Sequence, residues 1–306
     1  MKNSFGLSFE VLHWVTDSIG SGTKIQSVCT MAGATSSTLY KIEADYRGYN
    51  IKLTLRLFTN EEWLKENPDL AFHEAESLKK ARKADIPTPE VIAYDEKGIH
   101  CGIPATLITY LTGSVELKPI DFDNWLYQIA ESLIHIHAVE VGTFAWSYFC
   151  WNDISNYKPP NWSRFPKLWE KAIEIVLGPQ PEENECFIHR DYHPTNILWQ
   201  NNRISGIIDW VNACRGPTHV DISHCRRNLV DLYGVKVADQ FLKAYQSFAE
   251  TSFEHHPYWD LTSIVGVLPG PPDVYSPWIT FGIQHLNSEI LTECADDYLL
   301  SVMSRL

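Results

Sequence analysis

Residues 186–199 read CFIHRDYHPTNILW, and within this run His189, Arg190, Asp191, His193 and Asn196 stand among hydrophobic neighbours. Ionisable groups in an apolar run are costly unless they are paired, hydrogen-bonded or metal-bound. The chain continues ILWQNNRISGIIDW, in which Asn201-Asn202 separates two apolar runs and suits a two-residue hairpin turn at positive φ. With that turn, Gln200 pairs with Arg203 and Asn196 falls opposite Ile207. Asn196 and Asp209 are then expected to be diagonal neighbours on one face of the hairpin. Two oxygen donors placed this way suit a hard divalent cation such as Mg²⁺. Asp191 precedes Asn196 in a proline-containing loop, which puts a free carboxylate near the cation without making it a ligand.

The elements that must position these residues divide the chain in two. Residues 25–31, 37–46 and 50–58 are β-rich runs separated by AGATS and RGY, and a helix is expected over about 68–84, opened by Pro68 and stopped by DIPTPE. Two more strands, EVIAYD and ATLITYL, lead to a joint at LTGS, residues 111–114. Beyond it, residues 121–139 carry Phe122, Leu126, Ile129, Leu133, Ile136 and His137 on one helical stripe behind an Asp N-cap. Residues 144–169 are crowded with aromatics, among them Trp146, Trp151, Trp162 and Trp169. The remainder reads as mostly helical over 219–233, 236–253 and 276–305. The expectation is an α+β chain: a small N-terminal lobe over 1–111, with an antiparallel sheet and one helix, and a larger, mostly helical lobe over 112–306.

The 306 residues, 44% of them hydrophobic, suffice for one large domain or two ordinary ones. Seven cysteines without a CxxC pair do not make a disulfide framework and point to reduced thiols. The opening MKNSFGLSFEVLHWV places Glu10 and His13 where a signal peptide needs an unbroken apolar core, and no window reaches the ~18 apolar residues of a membrane span. The expectation is a soluble, cytoplasmic protein with no membrane partner. The net charge of -13 argues against nucleic acid, whose phosphates favour a basic face, and is compatible with a cationic small molecule.

His189-Arg190-Asp191, four residues, Asn196, and then Asp209 on the following strand resemble the catalytic loop and metal-binding Asp of phosphotransferases with the protein-kinase-like fold. The HPTN centre and IIDW ending are closer to the aminoglycoside phosphotransferase and choline kinase branch, and the resemblance runs from about residue 25 to 230. It implies a two-lobed fold and transfer of the γ-phosphoryl group of ATP or GTP. Asp191 would orient the acceptor hydroxyl and take its proton, while Asn196 and Asp209 would hold Mg²⁺. Arg56, in NIKLTLRLF, stands where protein kinases have a phosphate-contacting Lys, and Glu74 is its expected helix partner. Glu76 is expected to pair along the helix with Lys80.

The stretch MAGATSST lacks GxGxxG, leaving Gly33, Ser36 and Ser37 to cover phosphates, although a plain hairpin turn explains the stretch equally well on local grounds. The backbone of Thr109 and Leu111 would meet the purine. Only eleven residues separate Asp209 from Asp221, too few for the peptide-supporting segment of a protein kinase, which implies a small-molecule acceptor. Asp221 would tie the next helix to the catalytic loop. Trp151, Asp153, Glu254 and Asp260 are candidate contacts for an aminoglycoside, amino alcohol or sugar derivative, though packing or surface placement accounts for each at least as well. Such an enzyme would act as a monomer or homodimer. Two other readings compete: a nucleotide-binding module of pseudokinase type, and a zinc protein using Cys186, His189, His193, Cys214, His219, His224 and Cys225.

Overall fold

The computed structural model describes residues 6–31, 36–249 and 253–306. They form two compact units, Met1–Gly113 with Ser205–Asn212, and Ser114–Ile204 with Ala213–Leu306.

The first unit opens with helix α1 (Phe9–Ile19), where the Ser8 hydroxyl accepts a hydrogen bond from the Val11 N–H. Strands β1 (Lys24–Thr30), β2 (Thr38–Tyr46) and β3 (Tyr49–Leu57) follow. Helices α2 (Glu61–Glu66) and α3 (Leu70–Ala81) then precede β4 (Val91–Asp95) and β5 (Ala105–Thr109). The five strands make one antiparallel sheet in the order β1-β2-β3-β5-β4. The β2–β3 turn holds Arg47 and Gly48 at φ 55° and 88°, the left-handed geometry that matches strand twist in a tight hairpin.

Two differences from the sequence expectation have local causes. α1 was not anticipated, yet Val11, Trp14 and Val15 are buried at helical spacing and pack on Ile42, Leu53, Leu55 and Leu107 of the sheet. The helix expected over about 68–84 is α3 (Leu70–Ala81), and α2 (Glu61–Glu66), which ends before Pro68, is a further helix that was not anticipated. Asn67, before the proline, is extended at φ -132°, ψ 80°, because the proline ring disfavours the helical region for its predecessor. The small unit therefore carries three helices, not one. Residues 205–212 join it from far along the chain: the Ile207 N–H bonds the Pro87 carbonyl at 2.9 Å, and Val211 packs with Phe58, Leu70 and Ala71.

The second unit runs through β6 (Ser114–Val115), α4 (Phe122–His137), α5 (Pro166–Leu177), β7 (Glu185–Ile188) and β8 (Ile197–Gln200). β9 (Arg203–Ile207) begins in this unit, and β10 (Cys214–Pro217) follows. The chain ends in α6 (Thr218–Tyr233), α7 (Val235–Phe248), α8 (Pro257–Val265), α9 (Ser276–Thr280) and α10 (Ser288–Met303). β7 pairs antiparallel with β10, and β6 with β8. Asp121 caps α4 by accepting from the Asn124 N–H at 3.1 Å. α5 and α8, each with proline in its first turn, were not expected as separate helices. The helix expected over 276–305 is broken: Gly282 takes φ 92°, and Asn287 starts α10 by accepting from the Ile290 N–H at 2.9 Å. Among the described residues no helix is long and apolar enough to cross a membrane.

Candidate active site

In the second unit the loop after β7 is fixed by a single carboxylate. Fully buried Asp221, in the first turn of α6, accepts from the backbone N–H of His189 at 2.8 Å and of Arg190 at 2.6 Å. His137 of α4 lies 3.2 Å from the same side chain. Asp221 thus ties α6 and α4 to the loop, as the resemblance implied. Arg190 takes φ 68°, a left-handed conformation rare for a bulky residue, and Asp221 holds the two successive amides that lead into that strained Cα.

Asp191 follows directly, its side chain 26% exposed. His193 Nε2 lies 3.6 Å and His224 Nε2 3.2 Å from its Oδ1. Asn196 donates from Nδ2 to the Asp191 carbonyl at 2.8 Å and to Oδ2 at 3.3 Å. Both partners accept, so the amide nitrogen faces the loop and the amide oxygen is left to meet a cation. His193 Nε2 stands 3.1 Å from the same Nδ2, and its Nδ1 lies 2.7 Å from Thr195 Oγ1. Burial would raise the Asp191 pKa, but His193, His224 and His189 more than offset it and hold the carboxyl well below its ordinary range. Asp191 is therefore ionised and oriented at neutral pH.

The first unit carries a second constellation. Arg56 on β3 is nearly buried, with Nε 3.3 Å from Glu74 of α3 and Nη1 2.9 Å from Asp209. The Thr106 hydroxyl of β5 also donates to Glu74. Burial raises the Glu74 pKa, opposed by the Arg56 charge and the Thr106 hydrogen bond. Asp209 takes φ 66°, another left-handed non-glycine, just beyond the end of β9.

The hairpin argument requires correction. Asn201 and Asn202 do form the turn, at φ 53° and 59°. However, Asn196 closes a 3₁₀ turn (Pro194–Asn196) before β8 begins, and Asp209 lies past the last residue of β9. Neither residue is paired as a strand neighbour. Glu76 pairs with Lys79 at 2.7 Å, one position short of Lys80. The Thr109 N–H is committed to the Glu90 carbonyl at 2.9 Å, whereas that of Leu111 has no backbone partner among the described residues. Ser36 and Ser37 are half-buried just before β2, and Gly33 lies outside the described residues.

The acceptor candidates separate. Trp151 lies against the Arg190 guanidinium, 3.9 Å from the ring centre. Asp153 caps the short 3₁₀ turn Ile154–Asn156 at the surface, and Glu254 is exposed. Asp260 is a correction: it is fully buried on α8, bound by Arg226, His255, Tyr298 and Arg305, and cannot touch an acceptor. His224 was missed as a partner of Asp191, although its position three after Asp221 places both on one face of α6. Thr106 carried no comparable signal. For the zinc reading, the metal-ligating groups that approach within 4.8 Å among the described residues are Asp191, His193 and His224, and no cysteine joins them. Burial pushes the Cys214 thiol up to about 12, away from the thiolate a metal needs.

Residues 31–258, most of the chain, match the model of the phosphotransferase enzyme family. The chain belongs to this family and is a phosphotransferase. Solved structures with the same fold include a thermostable mutant of aminoglycoside phosphotransferase APH(4)-Ia, 16% identical, with TM-score 0.59 over 91% of this chain and 95% of that one. Another is an aminoglycoside phosphotransferase assigned in Ralstonia eutropha, 14% identical, with TM-score 0.62 over 95% and 98%. A third is the macrolide 2′-phosphotransferase MphH from Brachybacterium faecium, 15% identical, with TM-score 0.56 over 91% and 94%. At these identities the likeness shows the fold alone. No curated protein sequence gives a significant match.

Proposed function

We propose that the protein transfers the γ-phosphoryl group of ATP or GTP to a hydroxyl of a small molecule, with Asp191 as the group that orients the hydroxyl and accepts its proton. The observation carrying this reading is the Asp191 carboxylate itself, ionised, partly exposed and held between His193, His224 and Asn196. A base must be within reach of the proton and in its acceptor form, and the loop supplies both conditions. APH(4)-Ia mutants have been solved with ADP and with AMP-PNP, each together with hygromycin B, which favours an adenine nucleotide as donor here.

Asn196, in the second unit, and Asp209, in the first, each carry a hard oxygen donor of the kind Mg²⁺ prefers, and the motif resemblance assigns the ion to them. Bound with the nucleotide, Mg²⁺ would supply neutralisation of the charge that develops on the phosphates. Arg56 would contact the α- and β-phosphates, anchored by Glu74, with Ser36 and Ser37 near the phosphates and the Leu111 N–H offered to the purine. The fold of the short segment after Asp209 favours a small acceptor, because the single 3₁₀ turn Trp210–Asn212 is followed after one residue by β10.

The test is Asp191→Asn. It keeps the shape of the side chain and removes the base, so kcat is expected to fall about 10²–10⁴-fold while MgATP binding persists. Unchanged turnover in this variant would leave a nucleotide-binding module as the better reading.

A further inference from the structure

Beside the proposed base, wholly within the second unit, lies a cavity of about 270 Å³ whose lining includes Phe149, Trp151, Arg190, His224, Arg227 and Trp259. His224 joins it to the site, since its Nε2 is 3.2 Å from the Asp191 carboxylate. Among the described residues no Asp or Glu lines this cavity, although the chain has 38 acidic residues against 25 basic ones.

Its charged side chains are uniform in sign. Arg190 is 5% exposed, Arg227 7% and Trp259 2%. Arg190 Nε, Arg227 Nη1 and Trp259 Nε1 have no hydrogen-bond partner among the described residues. All three are N–H donors. These three atoms are themselves closed off from solvent, so what the cavity presents to an occupant is the charge of the two guanidinium groups, with no lining carboxylate among the described residues to balance it. The Arg190 charge has no carboxylate partner among the described residues: Nη2 donates to the Phe149 carbonyl at 2.6 Å, and the guanidinium lies 4.3 Å from the Phe149 ring and 3.9 Å from that of Trp151. Those aromatic faces are therefore already engaged by a cation and do not form an empty cage for a substrate ammonium. Arg227 gives Nε to Asp231 at 3.0 Å, which leaves its other edge.

From this we infer that the acceptor is a small alcohol carrying an anionic group, a hydroxycarboxylate, whose hydroxyl faces Asp191 while its carboxylate meets Arg227 and Arg190. A polycationic aminosugar, with several ammonium groups, is disfavoured: it would meet two guanidinium groups and no lining carboxylate. The volume, at the low end of ligand pockets, fits an acyclic or single-ring molecule. The inference rests on Asp191 as the base, and it departs from the cationic acceptor with which the acidic composition is compatible.

The test pairs binding with turnover on the intact protein. Glycerate and gluconate, and their amine counterparts aminopropanediol and glucamine, are titrated calorimetrically with Mg²⁺ and a non-hydrolysable ATP analogue, and each is then assayed as an acceptor with ATP. The hydroxycarboxylates are expected to bind saturably and the amines not. Arg227→Gln with Asp231→Asn removes the guanidinium without burying a lone carboxylate, and is expected to weaken carboxylate binding about ten- to a hundredfold at an unchanged melting temperature. Arg227→Lys, which keeps the charge but not the planar fork, should recover part of that loss. Preferential binding of the amines, equal binding by the double variant, or no binding by either class overturns the inference. Carboxylate binding without phosphate transfer sinks Asp191 as the base and the hydroxycarboxylate as acceptor, and leaves only a carboxylate-binding cavity. Transfer to an amine-bearing alcohol keeps Asp191 as the base and overturns the inference.

Discussion

Arg56 engages two carboxylates through different edges of one guanidinium, Nε toward Glu74 and Nη1 toward Asp209. A Lys at this position would be a point charge on a flexible stem and could not span both in fixed directions, so the departure from the protein-kinase pattern has a geometric consequence. Glu74 is 1% exposed and depends on that charge and on Thr106. Arg56→Ala is expected to destabilise the first unit by about 3–5 kcal/mol, because it leaves a buried carboxylate without its cation. Urea unfolding measures this. The double change Arg56→Met, Glu74→Gln should cost clearly less than the single one. At this scale the loop spacing was readable: Asp191 and Asn196 come from the motif, and Arg56 and Glu74 from the resemblance, whereas the strand register expected for Asn196 and Asp209 did not hold. His224 and Arg227 did not stand out, because a helical His or Arg beside several others signals nothing until its neighbours are known.

Turn chemistry governs the elements. Asn201 and Asn202 both occupy left-handed φ between β8 and β9, where Asn and Gly are tolerated and β-branched residues are not. Asn202→Val is expected to lower stability by about 1–2 kcal/mol, and Asn202→Gly to preserve or raise it, as read from denaturation midpoints. The interrupted helices show the same control by single residues: Pro68 separates α2 from α3, and Gly282 separates α9 from α10. Gly216 on β10 has no room for a side chain, since a Cβ there would lie 2.8 Å from both Ile188 Cδ1 and Tyr148 Cβ. That close approach sets Tyr148, a wall of the cavity, against the strand.

At the scale of the molecule, the second unit closes on Asp260. Arg226 from α6, His255, Tyr298 from α10 and Arg305 converge on this fully buried carboxylate of α8. Burial alone would raise its pKa, but His255, Arg226 and Arg305 more than offset that and hold it well below the ordinary value. In acid the unfolded chain then binds the proton that the native state refuses. The stabilisation is present above the unfolded value of about 3.9 and is lost as pH falls below it. Urea midpoints measured from about pH 5 down to pH 2 are expected to fall steeply for the natural sequence. Asp260→Asn should show a lower plateau at neutral pH and a flatter acid limb. If the two acid limbs run parallel, the carboxylate is not the group being titrated.

By itself the sequence determined the phosphotransferase class, the loop that carries Asp191, the β2–β3 and β8–β9 turns and the α+β outline, because these rest on local chemistry: spacing within a loop, positive-φ asparagines and periodic burial. The tertiary structure alone decided which of many Arg, His and Asp side chains meet. It buried Asp260 among cations and returned residues 205–212 to the first unit, where Asp209 meets Arg56. It also placed Arg190, Arg227 and Trp259 around one cavity. These outcomes depend on contacts between residues far apart in the chain, and the energy of a buried charge is set by the groups packed around it and not by its sequence neighbours.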